Sequence, residues 1–377
     1  MGHLHDRYNL TRVINLSGPL TVYGTGQSSP AVAEVAAEAL QQEWMIDEIA
    51  QRASDIIARW SATDAGTLTA STASGIALTS AACMTGADLG RVRQLPDTSF
   101  LKNEIVIQQG HCVEFGAPIE QMIRLSGATV REIGTVNKTT VADLEHALTE
   151  KTAAAMFVIS HHTVQYGFIE LRQFVDICHA RGVPVIVDGA AQAHQIERIV
   201  DSGADLIIVS GQKYLDAPTS GIVCGRGDLV RAVAMQNQGI GRAMKVGKEG
   251  MLGAIVALEE RMGTDLERWA SQQRKKAEYL AGKLEGIPAA SISLVPDQTG
   301  QPITRVRIDI DEHAASITAE DVCRDLEAGN PSIRPRAHHT DEGWFFLEPN
   351  HASEADLDLA AERLRAIVAG KAAPVGQ

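Results

Sequence analysis

Between residues 104 and 226 the chain alternates short apolar runs with amphipathic ones. "EIVIQQG" (104–110) is a β-rich run closed by Gly, and "APIEQMIRLSG" (117–127) carries an apolar stripe at helical spacing with Gly at its end. "TVREI" predicts the next strand, "VADLEHALTEKT" the next helix, and "AAAMFVIS" (153–160) a further strand. "IELRQFVDICHARG" predicts a helix stopped by Gly182, followed by two apolar strands, "VPVIVDGA" (183–190) and "DLIIVSG" (205–211). Strands separated by helices of this length need crossover connections, so their sheet is mainly parallel and covered on both faces. "SGIVCGR" (220–226) follows too closely for a crossover and is expected to run antiparallel to its predecessor.

After about residue 262 the texture changes. A charged helix, "LERWASQQRKKAEYLAGKLEG", leads to the strand "TRVRIDI", a helix near 318–328, the strand "GWFFLEP" and a last helix from Glu354 to about Gly370. The pattern predicts a large domain over residues 46–262 and a smaller α+β domain over 263–377, joined by a turn-rich arm of residues 1–45.

Charge narrows the partners. The formal net charge is -13 without a basic cluster, a poor match for nucleic acid, because neutralising phosphates needs grouped Lys and Arg. The five cysteines are scattered and show no CxxC, which suggests reduced thiols in a cytoplasmic protein. The longest mild run, "TLTASTASGIALTSAACMTG", is too polar to cross a membrane, and no signal peptide is expected.

In open α/β sheets ligands gather at the carboxyl ends of the strands. There stand His111, His161 and His162, Asp188, then Ser210 and Lys213. A lysine can form a Schiff base, and burial favours its reactive neutral amine. An aspartate one strand away could keep a pyridine nitrogen protonated and make the ring an electron sink, and a histidine could stack on that ring. Together they outline a site for pyridoxal 5'-phosphate (PLP). The turn before "SGIALTSAACM" offers backbone N–H groups at Ser71, Thr72 and Ala73 to the phosphate, with a helix dipole behind them, and Ser210 could add a hydroxyl. On an extended strand only one of His161 and His162 can face the site.

Each residue also has a plainer reading. Lys213 alone is a loop lysine, Asp188 alone a helix cap, and Arg334 and Arg336 flank Pro335 where they could simply be solvated. "SGQK" fits the SxxK of serine acyl-transferring enzymes, but the partner motifs SDN and KTG are absent.

"RVINLSGPLTVYG" (12–24), "SAACMTGADLGRVRQLPDT" (80–98), "KNEIVIQQGH" (102–111), "VIVDGAAQ" (185–192), "SGQKYLDAPTSGIVCGR" (210–226) and "GIGRAMKVGKEGM" (239–251) resemble the fold-type-I PLP enzymes related to selenocysteine synthase and D-glucosaminate-6-phosphate ammonia lyase. The resemblance implies a mostly parallel seven-stranded sheet with helices on both faces. It assigns the Schiff base to Lys213, the pyridine nitrogen to Asp188 and ring stacking to His111, with His162 and Gln165 near the cofactor's hydroxyl side. Where the family usually has Gly in the phosphate turn, this chain has Ser71. It further implies a homodimer with shared active sites, so that Arg242 and Lys245 could act across the interface.

The expected reaction is α,β-elimination from a hydroxylated amino acid or 2-amino sugar acid. Arg242, Lys245, Arg334 and Arg336 are the candidate clamps for substrate anions. A racemase, epimerase or aldolase would use the same cofactor. A selenium transferase acting on aminoacyl-tRNA is a more distant expectation, since "RVINLSGP" comes almost at once and leaves no room for an N-terminal RNA-binding domain.

Overall fold

The computed structural model describes residues 3–371. The chain divides into two units, Ser28–Gly263 and a second one formed from both chain ends, residues 1–27 and 264–377. The arm expected over residues 1–45 is therefore shorter. The helix Pro30–Gln41 packs on the helix Lys248–Met262 and belongs to the larger unit.

The larger unit is built on seven strands. Across the sheet they run Ala65–Thr69, Gly221–Gly225, Leu206–Ser210, Val185–Asp188, Thr152–Val158, Glu104–Gln108 and Thr129–Ile133. All neighbours from Leu206–Ser210 to Thr129–Ile133 are parallel, and Gly221–Gly225 is antiparallel to both its neighbours, as the short connection requires. Six of the strands are legible as apolar runs. The seventh, Ala65–Thr69, is an edge strand of small and hydroxylated residues and lacks the alternation that would mark it. The Val185–Asp188 and Leu206–Ser210 strands are buried at every position, which explains their continuous Val and Ile content.

The small-residue run becomes the helix Thr72–Thr85, buried along most of its length against the sheet. Alanine, serine and glycine let it approach closely: a Cβ at Gly75 would stand 2.8 Å from Ile208 Cγ2. Among the described residues, no helix is long and apolar enough to cross a membrane.

In the smaller unit, Thr304–Ile310 lies between Ala290–Pro296 and Trp344–Leu347 in an antiparallel sheet. The helices Leu266–Leu284, Ala319–Glu327 and Glu354–Lys371 share its apolar core. Val13–Leu16 pairs in parallel with Ser332–Pro335, which ties the N-terminal segment to this unit.

Candidate active site

The carboxyl end of the larger sheet collects the residues that the strand ends predict. Asp188 closes its strand, in register with Val158 on one side and Ile208 on the other. It is buried, and its Oδ1 accepts a hydrogen bond from the Ala190 N–H at 3.0 Å. Burial pushes its carboxyl pKa up, while the charge of Lys213 and that N–H bond pull it back down. Lys213 is thus brought into electrostatic reach of Asp188.

Lys213 is half-buried in a braced hairpin. Gly211 N–H donates to Ser220 O at 2.9 Å, Ala217 N–H to Gly211 O at 3.0 Å, and Ser220 N–H to Gln212 Oε1 at 3.1 Å. A Cβ on Gly211 would stand 2.2 Å from Ser220 Oγ, so the two arms of the hairpin can close only around glycine.

Ser210 precedes this hairpin. Its Oγ is buried without a hydrogen-bond partner. Such a group costs free energy unless a ligand or water satisfies it. Across the sheet, Ser210 is in register with Gly221, and Gly221 with Thr69. A Cβ at Gly221 would lie 2.4 Å from both Ser71 O and Thr69 Oγ1, so glycine lets the turn at Ser71 settle against the strand.

In that turn Ser71 is the helix N-cap. Its Oγ accepts from the Ser74 N–H at 3.1 Å and pairs with Ser74 Oγ at 2.8 Å. The hydroxyl therefore serves the helix, and the N–H groups of Thr72 and Ala73, at the first turn, have no intrahelical acceptor. Thr69 Oγ1 braces the turn by donating to Ser71 O at 2.8 Å, and Ala70 N–H donates to Met244 O at 3.1 Å. The latter bond holds the 240–245 segment beside the turn, with Arg242 and Lys245 exposed on it.

His111 lies in the turn after Gln108, and its Nδ1 accepts from the Val158 N–H at 3.2 Å. Its ring meets Phe157 edge-on at 4.5 Å, and burial lowers its pKa to about 4. At neutral pH it is an uncharged ring whose remaining nitrogen carries the proton. His161 and His162 stand in a turn rather than on an extended strand, so strand alternation does not separate them. Their ring centroids are 3.9 Å apart. Gln165 folds back on its own loop, its Nε2 donating to Ser160 O at 3.0 Å and Thr163 O at 2.6 Å.

Arg334 and Arg336 belong to the smaller unit, and both have partners there. Arg334 lies on the strand Ser332–Pro335, pairs with Glu327 at 2.8 Å and stacks over the Tyr23 ring at 5.5 Å. Arg336 is buried, 4.0 Å from Glu348. Sequence patterns missed Thr69 and Gly221, whose one signal is a run of small residues at two strand ends.

The arrangement fits PLP. An orphaned, buried Ser210 hydroxyl and a helix N-terminus suit its phosphate, a buried carboxylate at Asp188 suits a protonated pyridine nitrogen, and Lys213 supplies an amine beside them.

Comparison with known proteins agrees with that fit. Residues 79–280 match the family model described as SelA, L-seryl-tRNA selenium transferase. The chain is 35% identical to D-glucosaminate-6-phosphate ammonia lyase of Salmonella typhimurium (strain 14028s / SGSC 2262), over 97% of this chain and 98% of the relative. It is 36% identical to a 5'-C-glycyluridine monooxygenase-decarboxylase of a Streptomyces species, over 97% and 92%. A solved structure of D-glucosaminate-6-phosphate ammonia lyase superposes with a TM-score of 0.88 at 34% identity, covering 98% of both chains. The ureidoglycine-glyoxylate aminotransferase of Bacillus subtilis shares the fold alone, with a TM-score of 0.64 at 14% identity over 97% of this chain and 95% of that one. The chain belongs to the SelA family and has the architecture of the fold-type-I PLP-dependent enzymes.

Proposed function

We propose that the protein is a PLP-dependent lyase that removes ammonia from a hydroxylated amino acid or a 2-amino sugar acid by α,β-elimination. The observation that carries this reading is the full-length likeness, in sequence and in fold, to an ammonia lyase. When bound, PLP supplies a sink for the electron pair left at Cα. Asp188 holds negative charge in a buried place and so favours a protonated pyridine nitrogen. Lys213 Nζ takes the proton from the substrate Cα. The Cα–H and Cβ–O bonds break and the hydroxyl leaves as water, taking the proton that Lys213 removed; one water then hydrolyses the resulting imine, releasing ammonia and leaving a keto acid.

Thr72, Ala73 and Ser210 hold the cofactor phosphate, and His111 packs as a neutral ring beside the pyridine. His162 and Gln165 line the cofactor's hydroxyl side, and the Gln165 amide has to leave its loop contacts to do so. Arg242, Lys245, Arg334 and Arg336 grip substrate anions, with Arg242 and Lys245 reaching the site of a second copy in a homodimer. The exposure of Arg242 and Lys245 supports that role. A net charge of -13 supports a small-molecule substrate over tRNA.

Keto acid and ammonia released in equal amounts from one of a panel of D- and L-hydroxy amino acids and 2-amino sugar acids, with and without a phosphate, is the expected result. Racemisation without keto acid from every compound in the panel would overturn it. The Streptomyces relative favours a second reading, an oxidative decarboxylation. Oxygen consumption with release of carbon dioxide would select it over elimination.

A further inference from the structure

The helix Thr72–Thr85, whose first turn is proposed to hold the cofactor phosphate, has one further chain segment bonded near both of its ends. After the helix Gly227–Met235, which packs on it, the chain makes two 3-10 turns, Gln236–Gln238 and Ile240–Met244. Gln236 is fully buried, and its Nε2 donates to Thr85 Oγ1 at 2.9 Å, at the C-terminal end of the helix, and to Ala232 O at 3.2 Å. At the other end of this strap, Met244 O accepts the Ala70 N–H at 3.1 Å, just ahead of the N-cap Ser71.

Between these two bonds the strap is braced from within. Gly239 N–H donates to Gln236 O at 2.8 Å, and Arg242 N–H to Gly239 O at 3.0 Å. A Cβ on Gly241 would stand 2.7 Å from Gln236 O, so the strap folds back over Gln236 only as glycine. Ile240 and Met244 pack against the same apolar core as the helix. A rigid helix and a braced strap bonded at both ends make a closed frame, in which the place of one end sets that of the other. Gln236 Oε1, by contrast, is buried without a hydrogen-bond partner. Such an orphan costs about 1–3 kcal/mol, a cost that an apolar side chain of similar length would avoid.

We propose that Gln236 is a positioning residue for the cofactor phosphate: its bond to Thr85 sets the register of the 236–244 strap, and through Met244 O the strap holds Ala70 and the turn that follows, so that the Thr72 and Ala73 N–H groups converge on the phosphate. Arg242 lies on the same strap and Lys245 directly follows it, so one buried amide sets both the cofactor turn and two of the substrate clamps. Hydrogen bonds weaken steeply as distance and angle depart from the optimum. A slack strap therefore loosens the hold on the phosphate and leaves Asp188 and Lys213 untouched. The link to phosphate rests on the function proposed above, but the coupling of Gln236 to Ala70 belongs to the fold and can be measured without cofactor or substrate.

The test compares the wild type with Gln236→Met and Thr85→Val, which break the tie from either side, so one informative variant remains if the other fails to fold. In the cofactor-free full chain, hydrogen–deuterium exchange at the Ala70 amide should quicken about tenfold in each variant. Each protein is then titrated with PLP and with pyridoxal, which lacks the phosphate. Affinity for PLP should fall about tenfold, while affinity for pyridoxal stays within about twofold of wild type. The urea midpoint of Gln236→Met should match that of wild type, because the orphaned oxygen leaves together with the bond. The double variant should bind PLP no more weakly than the weaker single one, since the tie is already broken. Unchanged Ala70 exchange in the folded variants, equal losses for PLP and pyridoxal, or additive losses in the double variant overturns the proposal. Failure of the wild type to bind PLP would leave the Ala70 outcome untouched and would count against the proposed function alone.

Discussion

Ser210 states the case at the scale of one residue. A serine hydroxyl buried without a partner is costly in an empty protein and useful in a loaded one. Ser210→Ala removes that cost and one charge-assisted bond to phosphate. The expected outcome is a protein no less stable without cofactor but with PLP affinity lowered roughly 10- to 100-fold, as a loss of about 1.5–3 kcal/mol implies. Thermal unfolding and equilibrium titration with PLP check both halves. Ser210, Asp188 and Lys213 were legible because polar residues ending apolar strands must stand at the sheet's carboxyl edge. Gln236 was not, because its partner Thr85 stands 151 positions earlier in the chain, and no local pattern records that approach.

At the scale of elements, the helix Thr72–Thr85 has its cap in the same turn that is proposed to hold the phosphate. Ser71 is extended, and its hydroxyl is engaged by Ser74 rather than turned to a ligand. Ser71→Gly should therefore cost only a few tenths of a kcal/mol and leave PLP affinity unchanged, whereas Ser71→Ala should cost about 1 kcal/mol. Chemical denaturation of the three proteins, with a PLP titration beside it, decides the matter. The strand and helix alternation was readable because buried parallel strands need continuous apolar runs. The edge strand Ala65–Thr69 escaped because it is held by pairing with Gly221–Gly225, not by its own hydrophobicity. The turn at His161 and His162 escaped for a related reason: the apolar run "AAAMFVIS" overshoots the strand, which ends at Val158.

The whole molecule divides its labour between two units with separate means of support. The larger one rests on an apolar sheet with the titratable site at one edge. The smaller contains a buried ionic cluster, in which Arg305 bonds Glu348 at 2.6 Å and Asp297 at 2.7 Å, with Arg336 4.0 Å from Glu348 and Asn350 donating to it. Glu348→Ala leaves two guanidinium groups short of a buried partner, and the expected loss is on the order of 3–5 kcal/mol, read as an earlier urea midpoint. Sequence alone showed Arg336 only as a cation after a proline; its partner Glu348 sits on the far side of a strand and declares nothing locally.

The central claim is that Lys213 is the amine that binds PLP, and it can be tested on the intact protein. The cofactor-supplemented chain is reduced with borohydride, digested, and every lysine-containing peptide is weighed. A pyridoxyl increment is expected on the peptide containing Lys213, formed together with a visible absorption band that is missing from Lys213→Ala. An increment on a different lysine, or no band in the supplemented wild type, would contradict it.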